Sequence, residues 1–173
     1  MYHEQALQKS LTVPWKLDVC HSGEECWCRL ICTAEEIEYL GESEEPAKLD
    51  TIADWGSIGK ETAEYIVDLH NKSLKKESIV LEKIPTSSIH QNYEEARRYS
   101  LTVPWKIDVC NSGEECWCRL ILPTEEIQYT YKYSSGQESI QEIEYIVGDG
   151  SIEKIIAEYI VNLHNEYIEK FCT

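Results

Sequence analysis

The chain has 173 residues, and its 32 acidic side chains against 16 basic ones give a formal charge of -16. That balance disfavours binding to nucleic acid or to an anionic membrane surface, and it favours a basic partner surface. No apolar run approaches the roughly 20 residues of a membrane span, and the N-terminal MYHEQALQKS lacks the apolar centre of a secretory signal, so a cytoplasmic protein is expected. Eight cysteines in such a chain are read as reduced thiols or metal ligands before disulfides.

Ser10 to Ile31, SLTVPWKLDVCHSGEECWCRLI, returns as Ser100 to Ile121, and only Leu17/Ile107 and His21/Asn111 differ. The lead-in segments Glu4 to Ser10 and Glu94 to Ser100 match at Glu4/Glu94, Ala6/Ala96 and Ser10/Ser100 and suggest a helical turn or two. Val13, Trp15, Leu17 and Val19 then alternate with polar residues, the period of a half-buried strand, and Pro14 places this strand at an edge or delays its pairing. His21 to Glu25 supplies a turn and Cys26 to Cys32 a second strand. In it Cys26, Cys28 and Leu30 share one face, expected to meet the core, while Trp27, Arg29 and Ile31 share the other. Ile37 and Tyr39, like Ile127, Tyr129, Tyr131 and Tyr133, predict a third strand.

The least similar segments, Gly41 to Ala47 and Ser134 to Glu138, read as loops, and short strands are expected at Asp50 to Ala53 and Ile143 to Val147. The copies then converge four residues out of their first offset: AEYIVDLHN (Ala63 to Asn71) matches AEYIVNLHN (Ala157 to Asn165). Apolar residues at three- and four-residue steps predict an amphipathic helix in each copy, with Ser57 and Ser151 as N-caps and Asn71 and Asn165 at the C-terminal ends. The expected fold is α+β: two tandem repeats, each an antiparallel β-meander followed by a C-terminal α-helix, paired as a pseudo-twofold dimer. Residues 1–74 and 93–173 form the modules, and 75–92 form a linker that carries a possible strand at Ile79 to Leu81.

Three constellations can carry chemistry. Cys20, Cys26 and Cys28, with Cys110, Cys116 and Cys118, approach a zinc-ligand set, but C-x5-C-x-C is not a familiar zinc spacing, and small buried thiols are the simpler reading, so no cofactor is expected. Trp27 with Arg29, and Trp117 with Arg119, offer an aromatic face for a base and a planar fork for phosphate, to which Lys16 and Lys106 add charge. The alternative is a core tryptophan beside an arginine paired with Glu24 or Glu25. His70 and His164 at the helix ends are possible ligand contacts or general bases, but a histidine on an apolar helical face is more often a hydrogen-bonded core residue.

The order PW, then CWCR[LI]I, then GSI and AEYIVxLHN resembles small uncharacterised bacteriophage proteins over most of each module. The resemblance implies a phage-infected bacterial cytoplasm, where small proteins interfere with host defence. The expected function is non-enzymatic sequestration of a nucleotide-derived immune signal. The alternatives are an acidic inhibitor docking on a host defence protein and a hydrolase of such a signal acting through His70 and His164. A small nucleotide-type ligand is the expected partner, with nucleic acid and membrane excluded and further homo-oligomerisation open.

Overall fold

A computed structural model describes residues 1–19, 29–41, 43–53, 58–77, 89–109 and 118–171, with the backbone alone at 50, 118 and 149–151. The chain is a mixed α+β structure with antiparallel sheets, and the described residues hold four helices, one of them towards the C-terminus. In order, the elements are α1 (His3–Ser10), β1 (Trp15–Val19), β2 (Arg29–Leu40), β3 (Pro46–Ala53), α2 (Lys60–Lys75), α3 (Tyr93–Ser100), β4 (Trp105–Val109), β5 (Cys118–Pro123), β6 (Gln128–Lys132), β7 (Glu138–Glu142), β8 (Val147–Glu153) and α4 (Lys154–Phe171). Six strands form one sheet in the order β1-β2-β3-β8-β5-β4, and β6 and β7 form a separate hairpin.

Pro14 acts as its chemistry requires, and both first strands begin directly after the proline, at Trp15 and Trp105. Several boundaries differ from expectation. The predicted second and third strands of the first copy are continuous in β2, which shifts register after Ile31 and again before Ile37. In the second copy the corresponding run is broken, and Pro123 stands at the place of Thr33. β5 ends at this proline, still paired with Trp105, and β6 starts a hairpin with β7. Part of the expected loop at Ser134 to Glu138 is the turn of that hairpin, where Gly136 takes φ 83°. The strand expected at Ile143 to Val147 lies later, as β8.

The helix ends also differ. Ser151 belongs to β8 rather than capping α4, Gly59 precedes α2, and Ser57 lies outside the described residues. Both helices continue past Asn71 and Asn165, and the left-handed C-cap of α2 is Lys76. The turn at 21–25, the strand start at 26–28 and the segment Ile79 to Leu81 also lie outside the described residues.

The core lies between the sheet and the helices. Ile31, Ile121, Ile152, Ile156 and Ala157 are fully buried in one cluster with Ile66 and Leu69 of α2 and Ile160 of α4. Ile152 lies at the sheet's centre, paired with Ala53 on one side and Arg119 on the other. Replacement of Ile152 by alanine should cost about 2–5 kcal/mol in urea unfolding, whereas Ile140→Ala at an exposed site of β7 should cost about 0.5 kcal/mol or less.

Candidate functional site

The most ordered constellation lies where α2 and α4 meet. Trp15 stacks on His70 of α2 with ring centroids 3.8 Å apart and planes 15° from parallel. Trp105 stacks on His164 of α4 at 3.7 Å and 14°. The tryptophan indole N–H groups donate to the carbonyls of Ser10 and Ser100 at the ends of α1 and α3. Each histidine is then completed by a tyrosine from the opposite helix: Tyr159 for His70 at 2.9 Å and Tyr65 for His164 at 2.8 Å. Tyr65 and His70 of α2 face Tyr159 and His164 of α4 in reversed order, so the helices run antiparallel at the contact.

These partners determine the protonation of both rings. Nε2 of His70 lies 2.8 Å from the Val13 carbonyl, and Nε2 of His164 lies 2.8 Å from the Val103 carbonyl. A carbonyl only accepts, so each Nε2 carries hydrogen and each Nδ1 accepts the tyrosine O–H. Both rings are neutral in this arrangement and both are fully buried. Burial holds the two imidazoles below their ordinary value of 6.5, and His164 is pushed down to about 4.

The asparagines after the histidines make a second contact. Asn71 accepts from the Trp15 N–H and donates to the Trp15 carbonyl, both at 2.8 Å, and Asn165 treats Trp105 in the same way at 2.8 and 2.9 Å. Trp15 and Trp105 lie on the edge strands β1 and β4, with these groups directed away from the sheet. Each side-chain amide therefore takes the place of a neighbouring strand. Further along, Asp18 and Asp108 accept from the Val19 and Val109 N–H groups, so both edges are closed at two points.

The expected binding residues divide between the two faces of the sheet. Lys16 pairs with Cys32 and Val19 with Arg29, so by alternation Lys16 shares a face with Leu30 and Cys32, while Arg29 shares one with Leu17 and Ile31. The Arg29 face is the one that carries Trp15, Ile31 and the helix-covered core cluster, the reverse of the orientation expected from the cysteine pattern. Lys106 and Arg119 divide in the same manner. Arg29 and Arg119, both half-buried, therefore lie on one common face. Ile31, Ala53, Ile152 and Arg119 run across four successive strands, which puts the two arginines roughly 15 Å apart by strand spacing.

Trp27 and Trp117 lie outside the described residues, as do Cys20, Cys26, Cys28, Cys110 and Cys116. Cys118 opens β5, and Cys32 is buried in β2. No group of histidine, cysteine and acidic residues able to hold a metal occurs among the described residues, and no helix there is long and apolar enough to cross a membrane. Sequence reasoning missed Arg97, which is buried and donates to the carbonyls of Tyr145 and Ile146 at 2.8 Å each. Its signal was the substitution of arginine for Leu7 at the matched position of the first copy. Set beside known protein families, curated proteins and solved structures, the chain matches none of them.

Two outcomes are expected of the helix contact. Tyr65→Phe removes the donor to a buried Nδ1 and should cost about 1–3 kcal/mol in chemical denaturation, with Tyr159→Phe in the same range. The folded pKa of His164 lies below the unfolded one, so the unfolded chain takes the proton first. The contribution of neutral His164 to stability should be full above pH 6.5, fall as the pH drops from 6.5 to about 4 and be lost below that. The loss from His164 alone should be about 3 kcal/mol, measured by denaturation at stepped pH, and His164→Gln should remove most of that dependence.

Proposed function

We propose that the chain is a dimer fused into one polypeptide, and that it works as a non-enzymatic binding protein sequestering a nucleotide-derived immune signal in the cytoplasm of a phage-infected bacterium. The palindromic strand order, with β1-β2-β3 meeting β8-β5-β4, supports the fused-dimer part of this reading. So does the reciprocal contact of Tyr65 with His164 and Tyr159 with His70, in which each side lends the other the same residue.

The observation that carries the binding reading is the pair of arginines on one sheet face, at matched positions of β2 and β5. Two guanidinium forks at this separation suit a ligand with two phosphates, one for each arginine. Trp27 and Trp117, two residues earlier in the repeated stretch, would supply faces for its bases. Lys16 and Lys106 belong to the opposite face and would contribute long-range charge rather than contacts. His70 and His164 would hold the two halves together, because both of their ring nitrogens are already engaged. That engagement favours binding over hydrolysis.

The test is calorimetric titration with a panel of cyclic dinucleotides, followed by heat release and mass analysis of the ligand. Tight binding and return of an unaltered ligand are expected, with Arg29→Ala and Arg119→Ala each weakening binding at least about tenfold. Unchanged affinity in both variants would remove the arginine site, and a chemically altered ligand would replace sequestration with catalysis.

A second reading, an acidic inhibitor of a basic host protein, is favoured by a different observation. The charge of -16 is accompanied by an open groove of about 880 Å³ between the start of α3 and the β6–β7 hairpin.

A further inference from the structure

The β6–β7 hairpin is where the two halves differ most. Tyr129, Tyr131 and Tyr133 stand where the first copy has Tyr39, Gly41 and Ser43. In β6 Tyr129 and Tyr131 share one face, and just past its end the ring of Tyr133 meets that of Tyr131 edge to face at 4.9 Å. Tyr93, in the first turn of α3, meets Tyr129 in the same way at 5.4 Å and extends the row to four rings. Tyr129 is buried and anchored by its hydroxyl to Gln141, whereas Tyr93, Tyr131 and Tyr133 are 46%, 42% and 43% exposed. Tyr129 belongs to the core, but the three exposed rings contribute little to it, and tyrosine is a common anchor of interaction surfaces.

The polar lining decides what the groove would take. Asn92, Tyr93, Glu94, Tyr131, Lys132 and Glu138 line it. Lys132 is held by Glu138 at 3.0 Å, which neutralises the cation there. Asn92 accepts from the Glu95 N–H, and the Glu95 carboxylate accepts from the Gln91 N–H, so part of the first turn of α3 is already capped from within the chain. From Glu125 to Glu144 the sequence holds five glutamates and one lysine. An anion would meet the Glu94 carboxylate on one side and the neutral Lys132–Glu138 pair on the other. A cation would meet ring faces and the Glu94 carboxylate together, and a planar guanidinium suits both, stacking on tyrosine and binding carboxylate through its fork.

We propose that the tyrosine row and acidic groove formed by α3, β6 and β7 are a docking surface for an arginine-bearing segment of another protein. The proposal rests on the acidic-inhibitor reading above and gives it a location and a partner chemistry. It is independent of the arginine site on the six-stranded sheet.

The test uses the full chain and a fluorescein-labelled hexa-arginine peptide, with binding followed by fluorescence anisotropy at physiological ionic strength. The hexa-citrulline peptide, which has the same shape without charge, is the control. The wild-type chain should bind hexa-arginine and not hexa-citrulline. Tyr131→Leu with Tyr133→Leu leaves the net charge untouched and should weaken binding about tenfold, while the double phenylalanine variant should retain it. Tyr93→Leu changes the opposite wall and should lower affinity in the same direction, so the result does not depend on the hairpin variant alone. Wild-type affinity in both leucine variants would overturn the groove but leave a charge-driven inhibitor standing. Failure of hexa-arginine to bind at all would overturn both.

Discussion

The hydrogen bond between a tyrosine on one helix and a neutral histidine on the other is the constraint around which this structure is arranged. A buried imidazole must either find two partners or leave a polar atom unsatisfied. Here the backbone carbonyl before the PW pair supplies one partner and the opposite helix supplies the second. Trp15 and Trp105 close over the rings, and the adjacent asparagines hold the tryptophan backbones. Helix packing, strand position and the protonation of two side chains are thus determined together, and a change in one is felt in the others.

Much of this was legible in the sequence, though unevenly. Alternation around Trp15 located an edge strand, and the three- and four-residue spacing of Ile66, Val67 and His70 located a helix with its histidine inward. The partner of that histidine was not legible, because Tyr159 lies 89 residues away and nothing local distinguishes it from any other core tyrosine. Asn71 misled for a physical reason. Asparagine often ends helices, but here its amide bonds a strand 56 residues earlier while the helix continues.

Parity in β2 was readable, yet it could not say which face met the helices. Leu30 and Ile31 are both buried, so each face resembles a core when seen from the sequence alone. This bears directly on the candidate site, since it moves Arg29 to the helix-covered face and separates it from Lys16. The two copies diverge where Pro123 stands in place of Thr33: β2 runs on there, whereas β5 ends and the chain enters the β6–β7 hairpin on which the tyrosine row is built. The two proposed surfaces therefore have different origins: one lies in the stretch that repeats, and the other in the stretch that does not.

The crossed tyrosine contacts also bear on how the protein behaves at low abundance. Two separate chains forming the same helix pair would assemble only above a concentration set by their dissociation constant. With both helices in one polypeptide, the meeting of each tyrosine with its histidine is intramolecular and independent of protein concentration. Dilution cannot remove that partner. The buried helix contact therefore forms as readily in the first molecules made as in a fully expressed pool.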